Sequence, residues 1–222
     1  MYTEAVQRLR FTFGVDGALR YLSVLDMGRL WERLLRRAAL PLVFSQGFNP
    51  HPRLAFGAPL PVGYASTMDL IDIYLGAPVA SDKALARARS NSPAGLSITA
   101  VEEVDLRAPA LQAVMRSADY EVHFWSDATP DQVQRAIDRV LGCTTLPFTR
   151  ERAGHVAAFD LRPLILGAVY LGREQEHRLR VSMVCNPQGA GRPEDLVAAL
   201  ALPVTHWAVC RTALHWEGDG EA

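Results

Sequence analysis

Ala5-Val-Gln-Arg-Leu-Arg-Phe-Thr-Phe13 alternates, with Leu9, Phe11 and Phe13 on one face and Arg8, Arg10 and Thr12 on the other. A period of two marks a half-buried strand. Gly14-Val-Asp-Gly17 supplies turn chemistry next, and from Ser23 to Ala39 the period becomes helical. Met27, Leu30, Trp31, Leu34 and Ala38 make the apolar stripe, while Arg29, Arg33, Arg36 and Arg37 lie mostly off it. Glu32 stands one turn before Arg36, where an ion pair adds about 0.3 kcal/mol. Pro41 stops the helix. Beyond it, Leu42 to Phe44 reads as a short strand, Met68 to Leu75 as a longer one, Asp82 to Asn91 as a helix and Leu96 to Val104 as a strand. The first half therefore reads β-α-β-β-α-β.

The second half repeats this order with different side chains. Tyr120 to Trp125 is a strand, and Thr129-Pro130 is a good N-cap and first helical position for a helix running to Leu141. Thr144 to Arg150 and His155 to Asp160 form an expected hairpin with Ala153-Gly154 near its turn. Leu161 to Leu171 is ambiguous, because Pro163 suits the opening of a helical turn. In His177 to Val184, Leu179, Val181 and Met183 point inward and Arg178 and Arg180 outward. Pro193 to Leu200 is a short helix and Val204 to His215 a closing strand. The predicted fold is α+β, with tandem ferredoxin-like β-α-β-β-α-β halves and antiparallel sheets over residues 1–107 and 116–217. Ala108-Pro109 marks the linker, and Gly218 to Ala222 reads as a frayed tail.

Composition narrows the functional classes. The chain has 222 residues, 49% of them hydrophobic, and a net charge of −1. It is long enough to bury a core, and the molecule as a whole does not attract nucleic acid or acidic lipid by charge alone. Cys143, Cys185 and Cys210 are odd in number and widely separated, and Met1 opens no signal-peptide pattern. Free thiols in a reducing, cytoplasmic compartment are expected. No apolar run reaches the roughly 18 residues of a membrane span, so no membrane partner is expected.

The candidate site is Ser45-Gln-Gly-Phe-Asn-Pro-His-Pro-Arg53, continuing through Leu54-Ala-Phe-Gly-Ala-Pro-Leu-Pro-Val-Gly63. Four prolines and three glycines stiffen this stretch and hold the residues before each proline extended. Gln46, Asn49, His51 and Arg53 are thereby presented from a rigid loop, flanked by Phe48 and Phe56. His51 and Arg53 suit an anion, since guanidinium takes phosphate bidentately and imidazolium adds a donor, while Gln46 and Asn49 suit a base edge or a carboxylate. Gln46, Phe48, Asn49, His51 and Arg53 are the candidate ligand-binding residues. The competing reading is that the polar side chains only satisfy backbone groups freed by the prolines.

His51 is the candidate general acid or base, with Asp26 or Asp72 as the carboxylate that orients it. For Asp26 the plainer reading is stabilisation of the helix N-terminus, and for Asp72 an ion pair with Arg53 or a helix arginine. Asp69 and Asp72 fall on opposite strand faces. Arg29, Arg33, Arg36 and Arg37 read either as a solvated helix face or as a nucleic-acid contact that Arg8, Arg10, Arg178 and Arg180 extend across a sheet. No RNP-type aromatic motif is present, which disfavours a conventional RRM. Asp160-Leu-Arg162-Pro163 reads as a pinned bend and Arg192-Pro-Glu194 as a helix start. No metal site is expected, since His206 and Cys210 supply only two ligands, and without a P-loop or G-x-G-x-x-G no cofactor is expected.

Tyr21-Leu-Ser-Val-Leu-Asp26, Arg36-Arg-Ala-Ala-Leu-Pro-Leu42 and Phe44-Ser-Gln-Gly-Phe-Asn-Pro-His-Pro-Arg53 resemble the radical SAM-linked family of bacterial proteins. The likeness continues through Pro59-Leu-Pro-Val-Gly63, Ser66, Asp72, Asp160-Leu-Arg-Pro163, Arg192-Pro-Glu194 and Arg211-Thr212. That family is a domain of unknown function, found alone or joined to the C-terminus of cobalamin-binding-type radical SAM proteins. Its usual His before the Leu-Asp pair is Val24 here, which weakens any two-histidine centre, and its usual Glu before Asp72 is Asp69. The resemblance implies a radical SAM protein as partner and a connection to RNA, because genes of the family lie near those for ribonucleases and ribosomal proteins. The chain lacks C-x-x-x-C-x-x-C and so cannot itself hold the iron–sulfur cluster of that chemistry.

Three functions stay open from sequence. The first is a non-catalytic accessory module that binds RNA or another phosphate-bearing substrate for a radical SAM partner. The second is an RNA-processing or RNA-modifying enzyme using His51. The third is a protein–protein adaptor that docks through the proline loop.

Overall fold

The computed structural model describes residues 4–152 and 155–218. The expected turn at Ala153-Gly154 and the tail from Asp219 to Ala222 lie outside the described residues. The chain divides into two compact units, Met1–Met115 and Arg116–Ala222, and each is an antiparallel sheet packed under helices. No helix among the described residues is long and apolar enough to cross a membrane.

In unit 1 the order is β1 (Gln7–Val15), a 3-10 turn (Gly17–Tyr21), α1 (Val24–Arg37), β2 (Leu54–Phe56), β3 (Ala65–Leu75), α2 (Ser81–Ser90), β4 (Leu96–Val104) and a single turn, α3 (Leu111–Val114). The sheet runs β4-β1-β3-β2 with antiparallel neighbours throughout. This is the ferredoxin-like order, in which each helix crosses back over one face. Ser23 caps α1 by accepting a hydrogen bond from the Asp26 amide. Trp31, Leu34 and Leu35 of α1 and its C-cap Ala38 meet Leu9, Phe11 and Phe13 of β1 and Ile71 and Ile73 of β3 in one core. The Trp31 ring stands edge-on to Phe11 and Phe13, with centroids 5.7 and 5.0 Å away. Gly95 has φ +88°, and a Cβ there would lie 2.6 Å from the Asp16 carbonyl, so glycine is required where β4 begins. The outer strand β4 is covered in part by Arg89 of α2, which donates to the Ile98 and Thr99 carbonyls at 2.7 Å each.

Two sequence expectations fail in unit 1. Leu42 to Phe44 is not a strand but contributes only the isolated bridges Leu42–Leu75 and Phe44–Pro52, and the strand in this place is β2. Nor is β1 half-buried, since Arg8 and Arg10 are 1% and 7% exposed. The reason is Asp72, directly across the ladder from Arg10 and itself 0% exposed. Arg8 donates to its Oδ2 through Nε at 2.9 Å and Nη2 at 2.5 Å, and Arg10 to Oδ1 through Nε at 2.8 Å. Arg8 also donates to the carbonyls of Ala108 and Pro109 at 2.8 and 3.0 Å, tying the segment after β4 to the sheet.

Unit 2 repeats the plan. It contains β5 (Met115–Ser126), α4 (Pro130–Gly142), the hairpin β6 (Pro147–Arg152) and β7 (His155–Asp160), a 3-10 turn (Arg162–Leu164), β8 (Ile165–Arg173), β9 (His177–Asn186), the two-residue β10 (Gly189–Ala190), α5 (Pro193–Ala199) and β11 (Val204–Trp216). Its main sheet runs β8-β9-β5-β11, with β10 on the end of β9. Thr129 and Gln132 form a reciprocal capping box at the start of α4. Asp160 pins the bend before β8 by accepting from the amides of Leu146 and Arg162 at 2.7 and 3.0 Å. His177 is buried, with Nε2 3.0 Å from the Ala128 carbonyl, Nδ1 2.8 Å from the Tyr170 hydroxyl, and its ring stacked on Phe124. Burial holds its pKa below the usual imidazole value.

Removing the Asp72 charge leaves the buried Arg8 guanidinium without its counter-ion and Arg10 with only the more distant Glu102, 3.9 Å away. Asp72→Asn is expected to lower unfolding stability by about 3–5 kcal/mol. Urea denaturation monitored by tryptophan fluorescence checks this, and an unchanged midpoint would show that the ion pair contributes no net stability.

Candidate functional site

The stretch 45–53 folds as a closed loop. Its root is the Phe44–Pro52 bridge, reinforced by the Ser45 amide donating to the His51 carbonyl at 2.7 Å. The His51 amide returns a bond to Ser45 Oγ at 3.0 Å. Gly47 has φ +133°, a conformation open to glycine, and allows the chain to reverse. The backbone is thus closed by Ser45, not by the polar side chains beside it. Gln46, Asn49, His51 and Arg53 are exposed, and among the described residues none of their side chains makes a hydrogen bond. Phe48 at the tip is fully exposed. Phe56, expected to flank the loop, instead lies half-buried in β2 with its ring 6.3 Å from Phe13. The Arg53 guanidinium lies over Tyr74, 4.3 Å from the ring centroid. A groove of about 630 Å³ runs between Arg53, Gln46, Ser45 and Glu4.

The arginines of α1 line a second groove, of about 740 Å³, with Leu19, Leu22, Leu30 and Pro93 as its apolar wall. Arg29 pairs with Asp26 at 3.0 Å, Arg36 with Glu32 at 2.8 Å, and Arg37 donates to the Asn91 carbonyl at 3.2 Å. Arg33 is exposed and has no hydrogen-bond partner among the described residues. The Arg36 guanidinium also lies over the Phe44 ring, 5.1 Å from its centroid. Because Phe44 is the root of the 45–53 loop, the arginine row and the loop adjoin.

The three candidate catalytic residues do not come together. Asp26 is held by its own helix cap. Ser23 Oγ donates to Oδ2 at 2.7 Å and Arg29 to Oδ1, and these two bonds set its carboxyl below the usual range. Asp72 is enclosed by Arg8 and Arg10, not by Arg53 or a helix arginine as the sequence suggests. Among the described residues no carboxylate meets the His51 ring. Arg8 and Arg10 are interior groups and cannot extend a surface contact. Arg178 pairs with Glu174 at 3.0 Å and Arg180 stands across the ladder from Glu121.

Unit 2 carries a polar row that the sequence reading misses. His123 lies between Glu176 at 2.9 Å and Glu121 at 3.0 Å. Asp119 accepts from Ser182 at 2.5 Å and contacts His215 at 2.9 Å. Burial raises the Asp119 pKa, but the bonds to Ser182 and His215 outweigh it and leave the carboxyl lowered. The signal was available: Asp119, Glu121 and His123 alternate along β5 and must share a face. In the first turn of α5, Glu194 has its pKa pushed up to about 7, first by burial and then by the Asp195 charge, with Arg192 3.9 Å away. Among the described residues no group of three or more His, Cys, Asp or Glu side chains could hold a metal ion.

A tandem α+β protein with an exposed, proline-braced polar loop beside an arginine-lined groove is the class these features define. The chain matches the family described as an uncharacterized protein conserved in bacteria (DUF2344) over residues 8–193, and it belongs to that family. Comparison with the curated proteins gives no match. Among solved structures, a chain in the crystal structure of a Cbf5-Nop10-Gar1 complex is 12% identical with a TM-score of 0.49, covering 92% of this chain and 49% of that one. The present chain therefore spans about half the length of that neighbour. An unknown protein from Galdieria sulphuraria is 14% identical with a TM-score of 0.27, covering 88% of this chain and 90% of that one. Neither score is high enough for the likeness to bear on fold or function.

Two titrations follow from these contacts. Ser23→Ala is expected to raise the Asp26 pKa toward the ordinary 3.8, read by NMR of the side-chain carboxyl. No change would show that Arg29 alone sets it. For Glu194 the folded value lies above the unfolded one, so the folded state binds the extra proton between about 4.5 and 7. Its stabilising contribution is complete below 4.5 and is lost as pH rises through 7. Glu194→Gln is expected to stabilise the protein at pH above 7 by about 2–3 kcal/mol and to flatten this decline, measured by denaturation across pH. Equal pH profiles would refute the assignment.

Proposed function

We propose that this protein is a cytoplasmic RNA-binding accessory module that holds an RNA for a radical SAM partner. The observation that carries the reading is the adjacency of the α1 arginine groove and the 45–53 loop through the Arg36–Phe44 contact. Guanidinium groups take phosphates bidentately and stay charged at all working pH values. Arg33, with no competing hydrogen bond, and Arg53, exposed and without a side-chain hydrogen bond among the described residues, are the groups best prepared for phosphate. Gln46, Asn49 and His51 supply donors and acceptors for base edges. The radical SAM half of the reading rests on the resemblance of the Tyr21-to-Arg53 motifs. The catalytic alternative for His51 gains no support from its surroundings, because an exposed imidazole without an orienting carboxylate is poorly prepared as a general acid or base.

The adaptor alternative has one supporting observation. Tyr21, Val24, Leu25 and Val62 are exposed apolar side chains on neighbouring segments. The segments are joined by Arg20 Nε donating to the Gly63 carbonyl at 2.9 Å and by the Gly63 amide donating to the Arg20 carbonyl at 2.7 Å. An apolar patch of this kind suits a protein, and in the accessory reading it is where the radical SAM partner docks.

Fluorescence anisotropy with labelled RNA over a salt titration tests the RNA reading. About four phosphate contacts predict a slope near −3 for the logarithm of affinity against that of salt. The combined Arg29→Ala, Arg33→Ala and Arg53→Ala variant is expected to bind at least about 10-fold more weakly at low salt, with a shallower slope. No binding by the wild type at low salt, or equal binding by the variant, would contradict it.

A further inference from the structure

We infer that the RNA taken by this site is single-stranded, with one unstacked base laid on the Phe48 ring. The inference rests on the RNA reading above and specifies its substrate class. Phe48 is 108% exposed, so neither face of its ring is covered by the protein. A phenyl ring held wholly in water loses the favourable transfer that normally buries phenylalanine. Its presentation is nonetheless built, because the loop beneath it is closed by the Phe44–Pro52 bridge and the two Ser45–His51 hydrogen bonds.

The neighbours of Phe48 decide between a base and a protein pocket. Gln46, Asn49 and His51 are exposed and polar, with side chains that bond to no described residue. A protein-docking anchor sits within an apolar core that excludes water around it. A single ring among two amides and an imidazole has no such surround, but it matches a nucleobase, which offers a π-face to stack and a polar edge to bond. A duplex cannot use this arrangement. Its bases are already stacked, and the RNA major groove is too deep and narrow for a side chain to read. Phosphates flanking the unstacked base then fall to the α1 arginines that adjoin the loop.

The test compares binding of the full chain to an unstructured 20-nucleotide RNA and to a blunt duplex of the same length. Wild type, Phe48→Ala, Phe48→Trp and the triple arginine variant are measured at one salt concentration, with circular dichroism to establish that each is folded. The single strand is expected to bind at least about 10-fold more tightly than the duplex. Phe48→Ala is expected to weaken single-strand binding by about 5- to 150-fold while leaving duplex binding unchanged, and Phe48→Trp to restore it. Equal binding of both RNAs, with Phe48→Ala silent, would overturn the single-strand inference and leave the RNA reading standing. Binding of neither RNA by the wild type would overturn both. If Phe48→Ala instead abolished capture of a purified protein partner while RNA binding was untouched, the ring would belong to a protein interface and the inference would fall.

Discussion

The Asp72 carboxylate, enclosed between Arg8 and Arg10, is the constraint on which unit 1 depends. It joins the two central strands where Asp72 and Arg8 are shut off from solvent, while Arg10, its side chain 8% exposed, also reaches Glu102 at 3.9 Å on the outer strand β4. Burying such groups costs several kcal/mol each before their attraction is counted, so the pairing persists only with nearly complete hydrogen bonding. Arg8 completes its bonding by reaching the Ala108 and Pro109 carbonyls. The ion pair therefore orders the strands and the segment that follows the sheet.

This internal use of charge changes how the surface should be read. With Arg8 and Arg10 withdrawn from solvent, the four α1 arginines, Arg29, Arg33, Arg36 and Arg37, stand over the groove that adjoins the 45–53 loop. The overall charge of −1 then matters little for binding, because a local row of guanidinium groups acts within about a Debye length. The other carboxylate expected near His51, Asp26, serves the helix cap, and the acidic group that lines the groove beside Arg53 is instead Glu4.

The parts legible in sequence are those governed by local rules. The α1 and α4 helices follow from their apolar periods and from caps at Ser23 and Thr129, and β4 falls at its expected bounds although a register shift against β1 breaks its alternation after Ile98. The order of elements gives the ferredoxin-like plan of each unit without reference to long-range contacts. What was not legible depends on partners far away in the chain. Arg8 and Arg10 alternate with apolar residues as a solvent face would, and only Asp72, more than sixty positions on, makes them interior. The 42–44 segment has strand composition, but it meets β3 and the following loop through one isolated bridge each, Leu42–Leu75 and Phe44–Pro52, instead of a ladder. At the candidate site, the prolines announce an exposed polar loop, whereas the role of Ser45 and the complete exposure of Phe48 required the folded backbone. The period-two spacing of Asp119, Glu121 and His123 was visible on β5, but their distant partners Glu176, Ser182 and His215 required the folded structure.

The account's central claim is that RNA lies on the loop and on α1, in unit 1. Ultraviolet crosslinking of the full chain to a 4-thiouridine-containing single-stranded RNA, followed by mass spectrometry of the crosslinked peptides, tests that claim most directly. Crosslinks within residues 45–53 and 24–37 are predicted. Crosslinks confined to residues 116–218, or none above the level of an unrelated protein, would contradict it.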